Sequence, residues 1–328
     1  MNVVQALNDG ARAALGVPAI AYALVAVGLN LQFAYGGLVN VGQVGFMLVG
    51  AYGTAMAVHA GAPLLLGVAA GLGAAALLGV VLGMASIRVR ADYLAIVTLA
   101  AAEILRLLVR SQTFDRWTGG VRGIGGFGGE FYGWNPIPVG RYGVGDVAFS
   151  HRTLWLVLVG WTAVGLCCLL TWSVVRSPWG RVLLSVREDE EVVRSIGKDV
   201  LRVKVQALTI GGVIGALGGV LLALDAQYVQ PDAWVLAITT YAFTVMVVGG
   251  KQTVTGPVVG SMVFWFLLQA SDTLLRQWLA HPVFADHLAP TDAGPIRLAV
   301  VGVILVALMV WRPVGLVGRR ARRGATDG

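Results

Sequence analysis

Runs of about 20 apolar residues recur along this chain, each long enough to cross a hydrocarbon core of roughly 30 Å. A water-soluble domain has no use for so many, and inside a bilayer only helices or closed barrels satisfy their own backbone groups. The runs are continuous rather than alternating, which argues against a barrel. Charged residues make up only 12% of the 328 positions, against about 25% in soluble domains. Glycine occurs 45 times, as expected where helices pack closely in lipid. The fold class expected is an all-α polytopic membrane protein with a single membrane domain over 1–328.

Nine candidate spans fall at 14–33, 38–58, 62–87, 92–110, 153–175, 204–226, 233–249, 256–275 and 295–312. The second and fourth also read as re-entrant or partly spanning. The polar connections are 111–152, rich in Gly with Trp and Tyr, the charged segment 176–204, the stretch 276–294, and a basic tail over 313–328. Met1 to Gly16 lacks a basic start and a cleavage site, so no removable signal peptide is expected.

The net charge of +7 reads as topology. With the C-terminus in the cytoplasm, 15 of the 24 basic residues fall on that side, including Arg88, Arg90 and the five of the C-terminal end from Arg312. The 42-residue segment 111–152 holds four and is expected outside. The N-terminus is then outside, unless a tenth span flips it.

No catalytic constellation is visible: there is no P-loop, no His-Glu-x-x-His and no Gly-x-Ser-x-Gly. The four histidines lie near span ends or in loops. His281, Asp286 and His287 make a poor metal set, and Cys167 and Cys168 sit side by side in an apolar run, so neither metal nor cofactor is expected. Glu103 and Arg106 share a helical face in the fourth span, either as a local ion pair at the membrane boundary or as lining of a solute path. Asp225 reads as interfacial. A ladder of midplane carboxylates and histidines is missing, which counts against an ion-coupled carrier.

Asn30, Gln32, Asn40 and Gln43 flank the turn between the first two spans, where amides cap a broken helix or line a polar cavity. Gly211, Gly215 and Gly219 form a small-residue ridge, widened by Gly212 and Gly218, for helix packing or a moving interface. Gly36-Gly37 before Gly42 is echoed by Gly249-Gly250 before Gly256. In the charged segment, Pro178 and Gly180 break the preceding helix, and a short amphipathic helix follows with Leu183, Val186, Glu190 and Val193 on one side until Gly197 stops it. On pattern alone it is either a solvated loop or a docking helix.

Several ordered stretches resemble one family. They are Gly28-Leu-Asn-Leu31 through Gly36-Gly-Leu38 to Gly50-Ala-Tyr52, then Arg90-Ala-Asp-Tyr-Leu-Ala-Ile-Val-Thr-Leu99 with Glu103-Ile-Leu-Arg106, and Thr118-Gly-Gly-Val-Arg-Gly-Ile124. The 177–197 loop, Gly249-Gly250 with Gly256-Pro257, and Arg312-Pro-Val-Gly-Leu316 complete the set. Together they resemble the longer, LivM-type permease of branched-chain amino acid ABC importers. The resemblance implies a type II importer fold in the bacterial inner membrane. Its implied partners are a paralogous permease, two ATP-binding subunits and an extracytoplasmic solute-binding protein. It implies a coupling role for Arg187, Glu188, Glu190, Glu191, Arg194 and Gly197, and no chemistry by the chain itself. The path through the bilayer is expected to draw on Asn40, Gln43, Glu103, Gly215 and Gly256. Gln43 stands where that family often has His, Val192 to Ser195 replace a small-residue core, and Lys251 to Thr255 replace a Gly-Ser-rich turn. Urea, short amides or another small solute are the alternative substrates; a secondary transporter or channel without ATPases is the alternative class.

Overall fold

The structure, a computed structural model, describes residues 3–85, 91–144, 147–279 and 293–318. Arg88, Arg90, His281, Asp286, His287 and the arginines from Arg319 onward lie outside the described residues. Helix α1 (Val3–Leu15) precedes α2 (Val17–Leu29), which runs on as a π-helix over Asn30–Tyr35. After a turn come α3 (Gln43–His59), α4 (Leu64–Ala85) and α5 (Ala91–Arg110). The next segment is irregular, with α6 (Asp115–Thr118), β1 (Ile124–Gly125), α7 (Gly129–Gly133) and the hairpin β2 (Arg141–Val144) to β3 (Val147–Ser150). Then follow α8 (His151–Arg176), α9 (Pro178–Glu188), α10 (Glu190–Ser195) and α11 (Val200–Ala226). The last elements are β4 (Tyr228–Val229), α12 (Ala237–Gly249), α13 (Gly256–Leu279) and α14 (Ala293–Trp311).

Among the described residues, seven helical stretches are long and apolar enough to cross a membrane. They match seven of the nine expected spans. The other two are helical but fall short for different reasons: α3 has only 17 residues, and α5 carries Asp92, Glu103, Arg106 and Arg110 within 20 residues. They are the same two for which a partial crossing was the alternative. Helix α1 was not expected. It is amphipathic, with Ala6, Gly10 and Ala14 buried, and it packs on α13, where the Phe266 ring and Ala270 crowd Gly10.

Helix α11 is the axis of the bundle, packed on α2, α3 and α4. Its glycines explain how three neighbours fit around it. A Cβ on Gly211 would stand 2.5 Å from the Gly28 carbonyl oxygen, and one on Gly219 would stand 2.2 Å from that of Met47. Contacts so close are open only to backbone meeting backbone, which is how helices gain attraction in lipid without a hydrophobic drive.

The loops gather at two ends. At one, β1 pairs antiparallel with β4, with Ile124 opposite Val229 and Gly125 opposite Tyr228. There too Glu130 accepts from the Leu64 amide at 2.6 Å, and Tyr132 donates to the Leu224 carbonyl at 3.0 Å. At the other end lie the turn 36–42, α9 and α10, the loop 250–255 and the stretch 312–318, which pairs back through Leu316 N–H to Val248 O and Val317 N–H to Gly249 O. Two blocks of the resemblance, Gly249-Gly250 and Arg312 to Leu316, thus form one contact.

Candidate functional site: the broken-helix junction and the segment packed beneath it

A turn placed inside a bundle strands backbone groups away from water, and each must find a partner. Here amide side chains supply them. Asn40 Nδ2 donates to Gln32 Oε1 at 3.0 Å and to Gln43 Oε1 at 2.8 Å. Asn40 Oδ1 accepts from the Gly42 amide at 3.0 Å. The other ends of the glutamines reach α11: Gln32 Nε2 donates to Leu208 O and Gln43 Nε2 to Gly211 O, each at 3.0 Å. Thr98 of α5 and Thr239 of α12 cap the amides of Val41 and Val44. Gln32, Asn40 and Gln43 are completely buried. Within the single chain this cluster seals the turn and ties α2, α3 and α11 together; none of the three reaches solvent.

Of the five residues expected along a path, Asn40, Gln43 and Gly215 come together here. A Cβ on Gly215 would stand 2.1 Å from Gln43 Nε2, so the amide lies in the gap that the glycine leaves. Glu103 and Gly256 lie elsewhere. Glu103 is half exposed and holds Arg106 in a two-pronged pair, at 2.5 Å and 2.9 Å. Arg106 and Arg110 both reach Asp232, at 3.2 and 3.3 Å, which ties α5 to the loop after β4. The local pair was legible from its three-residue spacing; Asp232, more than 120 positions away, was not. Gly256 opens α13 where it crosses the end of α12, with its amide capped by Thr253 Oγ1 at 3.1 Å.

The charged segment departs from the single helix expected. Asp189 is extended, at φ −154°, and its carboxylate accepts from the Glu191 and Val192 amides, so it ends α9 and caps α10. The apolar side expected of the segment is present: Leu183, Val186 and Val193 are buried against Leu31, Tyr35 and Leu38 of the junction and Val203 of α11. Arg187 donates to the Ala34 carbonyl at 2.6 Å. Glu190 turns toward its own chain, pairing with Lys204 at 2.5 Å and Arg194 at 3.0 Å. Glu188 and Glu191 are exposed, and so are Val192 and Ile196, at 56% and 67%. Gly197 stops α10 at φ +77°, where a side chain would be strained. The segment is therefore clamped to the junction on one side and presents an apolar pair among charges on the other.

The family described as branched-chain amino acid transport system, permease component, matches residues 13–309. The chain belongs to that family. This permease is 31% identical over 317 residues to the high-affinity branched-chain amino acid transport system permease protein LivM of Salmonella typhimurium, covering 90% of this chain and 67% of the relative. The probable branched-chain amino acid transport permease LivM of Methanocaldococcus jannaschii is 24% identical, with 90% of each chain covered. The fructose import permease FrcC of Rhizobium meliloti is 27% identical over 140 residues, 41% of this chain. With seven helices among the described residues long and apolar enough to cross a membrane, the permease is a multi-pass membrane protein.

Proposed function

We propose that this permease is one membrane half of an ATP-driven importer for branched-chain amino acids, in the bacterial inner membrane with its C-terminus in the cytoplasm. Its partners are a second, paralogous permease, two ATP-binding subunits and a solute-binding protein on the outer side. The observation that carries this reading is the α9–α10 segment. Its buried face rests on the broken-helix junction, and its free face offers Val192 and Ile196 between charged residues. An exposed apolar pair one turn apart is a docking surface for a soluble partner.

In this reading ATP-driven closure pushes on α10. The push passes through Leu183, Val186 and Val193 and through Arg187 to the π-helix of Asn30–Tyr35, and from there through Gln32, Asn40 and Gln43 to α11. Asn40, Gln43 and Gly215 hold the moving joint beside the path, with Gly256 at a second crossing and Glu103 at the outer mouth. The chain carries out no covalent chemistry.

The test is purification of the tagged permease from its native membrane. Two P-loop ATPases and a second permease should accompany it, and the reconstituted complex should take up leucine, isoleucine or valine with ATP. Isolation without ATPases, or uptake driven by an ion gradient alone, would refute the reading.

A further inference from the structure

Beside the docking segment lies a recess of about 280 Å³ lined by Phe33, Ala34, Gly37, Arg187, Lys251 and Gln252. Three separate stretches of chain build it. Lys251 stands over the Phe33 ring, its ammonium 5.6 Å from the centroid. Arg187 reaches in from the end of α9, and Gly37, at φ +67°, lets it pass; a Cβ there would stand 3.0 Å from Arg187 Cγ.

The loop that carries Lys251 is held in a costly conformation. Gln252 has φ +58°, rare for a residue other than glycine. It is pinned at three points to the π-helix: its amide donates to Asn30 Oδ1 at 3.1 Å, its Nε2 to Ala34 O at 3.1 Å, and its carbonyl accepts from Tyr35 Oη at 2.7 Å. Strain of this kind persists where the surroundings over-determine it, and such places cluster at functional sites.

The charges are unbalanced. Arg187 and Lys251 form no ion pair among the described residues, although acids follow Arg187 directly. Asp189 is engaged by the α10 amides, Glu190 by Lys204 and Arg194, and Glu188 is exposed and reaches neither cation. Two cations share a recess without a counter-ion, at the end of α9, the helix that leads into α10.

Resting on the coupling role proposed above, we infer that this recess receives an acidic side chain of the ATP-binding subunit, a second contact point apart from α10. Arg187 and Lys251 together hold its carboxylate, and the contact links the 250–255 loop, through Gln252, to the π-helix. The motion of the partner then reaches the junction by two routes.

The experiment uses the assembled complex in detergent with zwitterionic lipid. Lys251→Glu puts like charge against the partner and should weaken ATPase retention on the permease pair by about tenfold or more, while Lys251→Met should weaken it less. Raising salt to about 0.5 M should shrink the difference between wild type and variants, since exposed charges are screened there. Carbodiimide treatment should join the permease to the ATPase through Lys251, and Lys251→Met should lose that cross-link. A melting temperature unchanged in Lys251→Glu permease separates lost contact from lost fold. The control carries Glu191→Lys and Ile196→Asp on α10. If that control breaks association while Lys251→Glu leaves association and cross-linking unchanged, the recess is no contact and the inference falls alone. If the control also leaves association intact, the coupling role falls with it. An effect of Lys251→Glu seen only in vesicles containing anionic lipid, with ATPase retention normal, would assign the recess to a lipid phosphate and overturn the inference.

Discussion

The apolar stretches of α11 and α14 have the same mean hydropathy, 2.2, yet 72% of the first is buried inside the chain and 11% of the second. Hydropathy thus selects the membrane and says nothing about position within the protein. What separates the two is where small residues fall. Helix α11 has Gly211, Gly212, Gly215, Gly218 and Gly219, each touching a neighbouring helix, whereas Gly294 and Gly302 of α14 have nothing within 4 Å of where a Cβ would stand. The exposed face of α14 is instead Val303, Val306, Val310 and Trp311. In lipid no hydrophobic drive brings one apolar face to another, so close packing at glycine decides which helix becomes the axis.

The largest effect should come from filling that approach. Gly219→Leu drives a side chain into the Met47 backbone, which cannot shift without moving α3. Overpacking of this kind costs about 3 kcal/mol or more. Membrane insertion should persist, but the melting temperature in detergent and the yield of monodisperse protein should collapse. A Gly219→Leu protein that melts normally would break the comparison at its strongest point.

Next in size is Gln43→Leu, which keeps the volume and removes the amide. It leaves the Gly211 carbonyl without its side-chain donor and Asn40 without one acceptor. Buried groups left unpaired cost about 1–3 kcal/mol, although membrane hydrogen bonds measured by double-mutant cycles average nearer 0.6. If Gln43 seals the junction, assembled complex and uptake should fall together. Uptake lost at full assembly would instead mark a residue of the path.

These two sites also measure how far the sequence could be read. The glycine ridge was visible because its spacing of four is local, and the Glu103–Arg106 pair because it is three apart. Leu183, Val186 and Val193 were found on one face for the same reason. The junction was visible only as a cluster of amides: nothing local reveals that Gln32 bonds to Leu208 or Gln43 to Gly211, some 170 residues on. Asp232, Lys204, Lys251 and Gln252 were missed on the same ground, since each meets its partner through the fold. Asp189 was different. Its capping role was local, but it was hidden in a run of four acids, where any one could have ended the helix.

A third prediction compares the exposed segment with the bundle. Lys204→Met removes the tie from α11 to Glu190 while keeping the apolar stem. A partly exposed ion pair is worth about 1 kcal/mol or less, so the bundle should melt almost as before. The local effect should be larger: α10 loosens, and limited proteolysis across 188–199 should quicken. ATPase stimulation by the permease should drop with little change in melting temperature. Equal loss of both would mean that α10 is part of the folding core rather than a clamped attachment.

The smallest effect is expected at Gly302→Leu in α14. The residue borders a groove of about 770 Å³ between α12, α13 and α14, so a leucine there has open space to enter. The helix loses a glycine in its interior, which on intrinsic preference favours the folded form by up to about 1 kcal/mol. The added side chain meets lipid or the empty groove, and neither penalises it. Melting should therefore stay within about 0.5 kcal/mol of wild type or rise slightly. The contrast with Gly219→Leu is then the same substitution in two helices of equal hydropathy, with effects differing several-fold. A second measurement asks what the groove meets. If α14 faces lipid, the variant should assemble and transport normally. If another subunit seats a side chain in the groove, leucine at 302 should lower recovery of the complex while the isolated permease melts unchanged, and the low burial of α14 would belong to the single chain and not to the assembly.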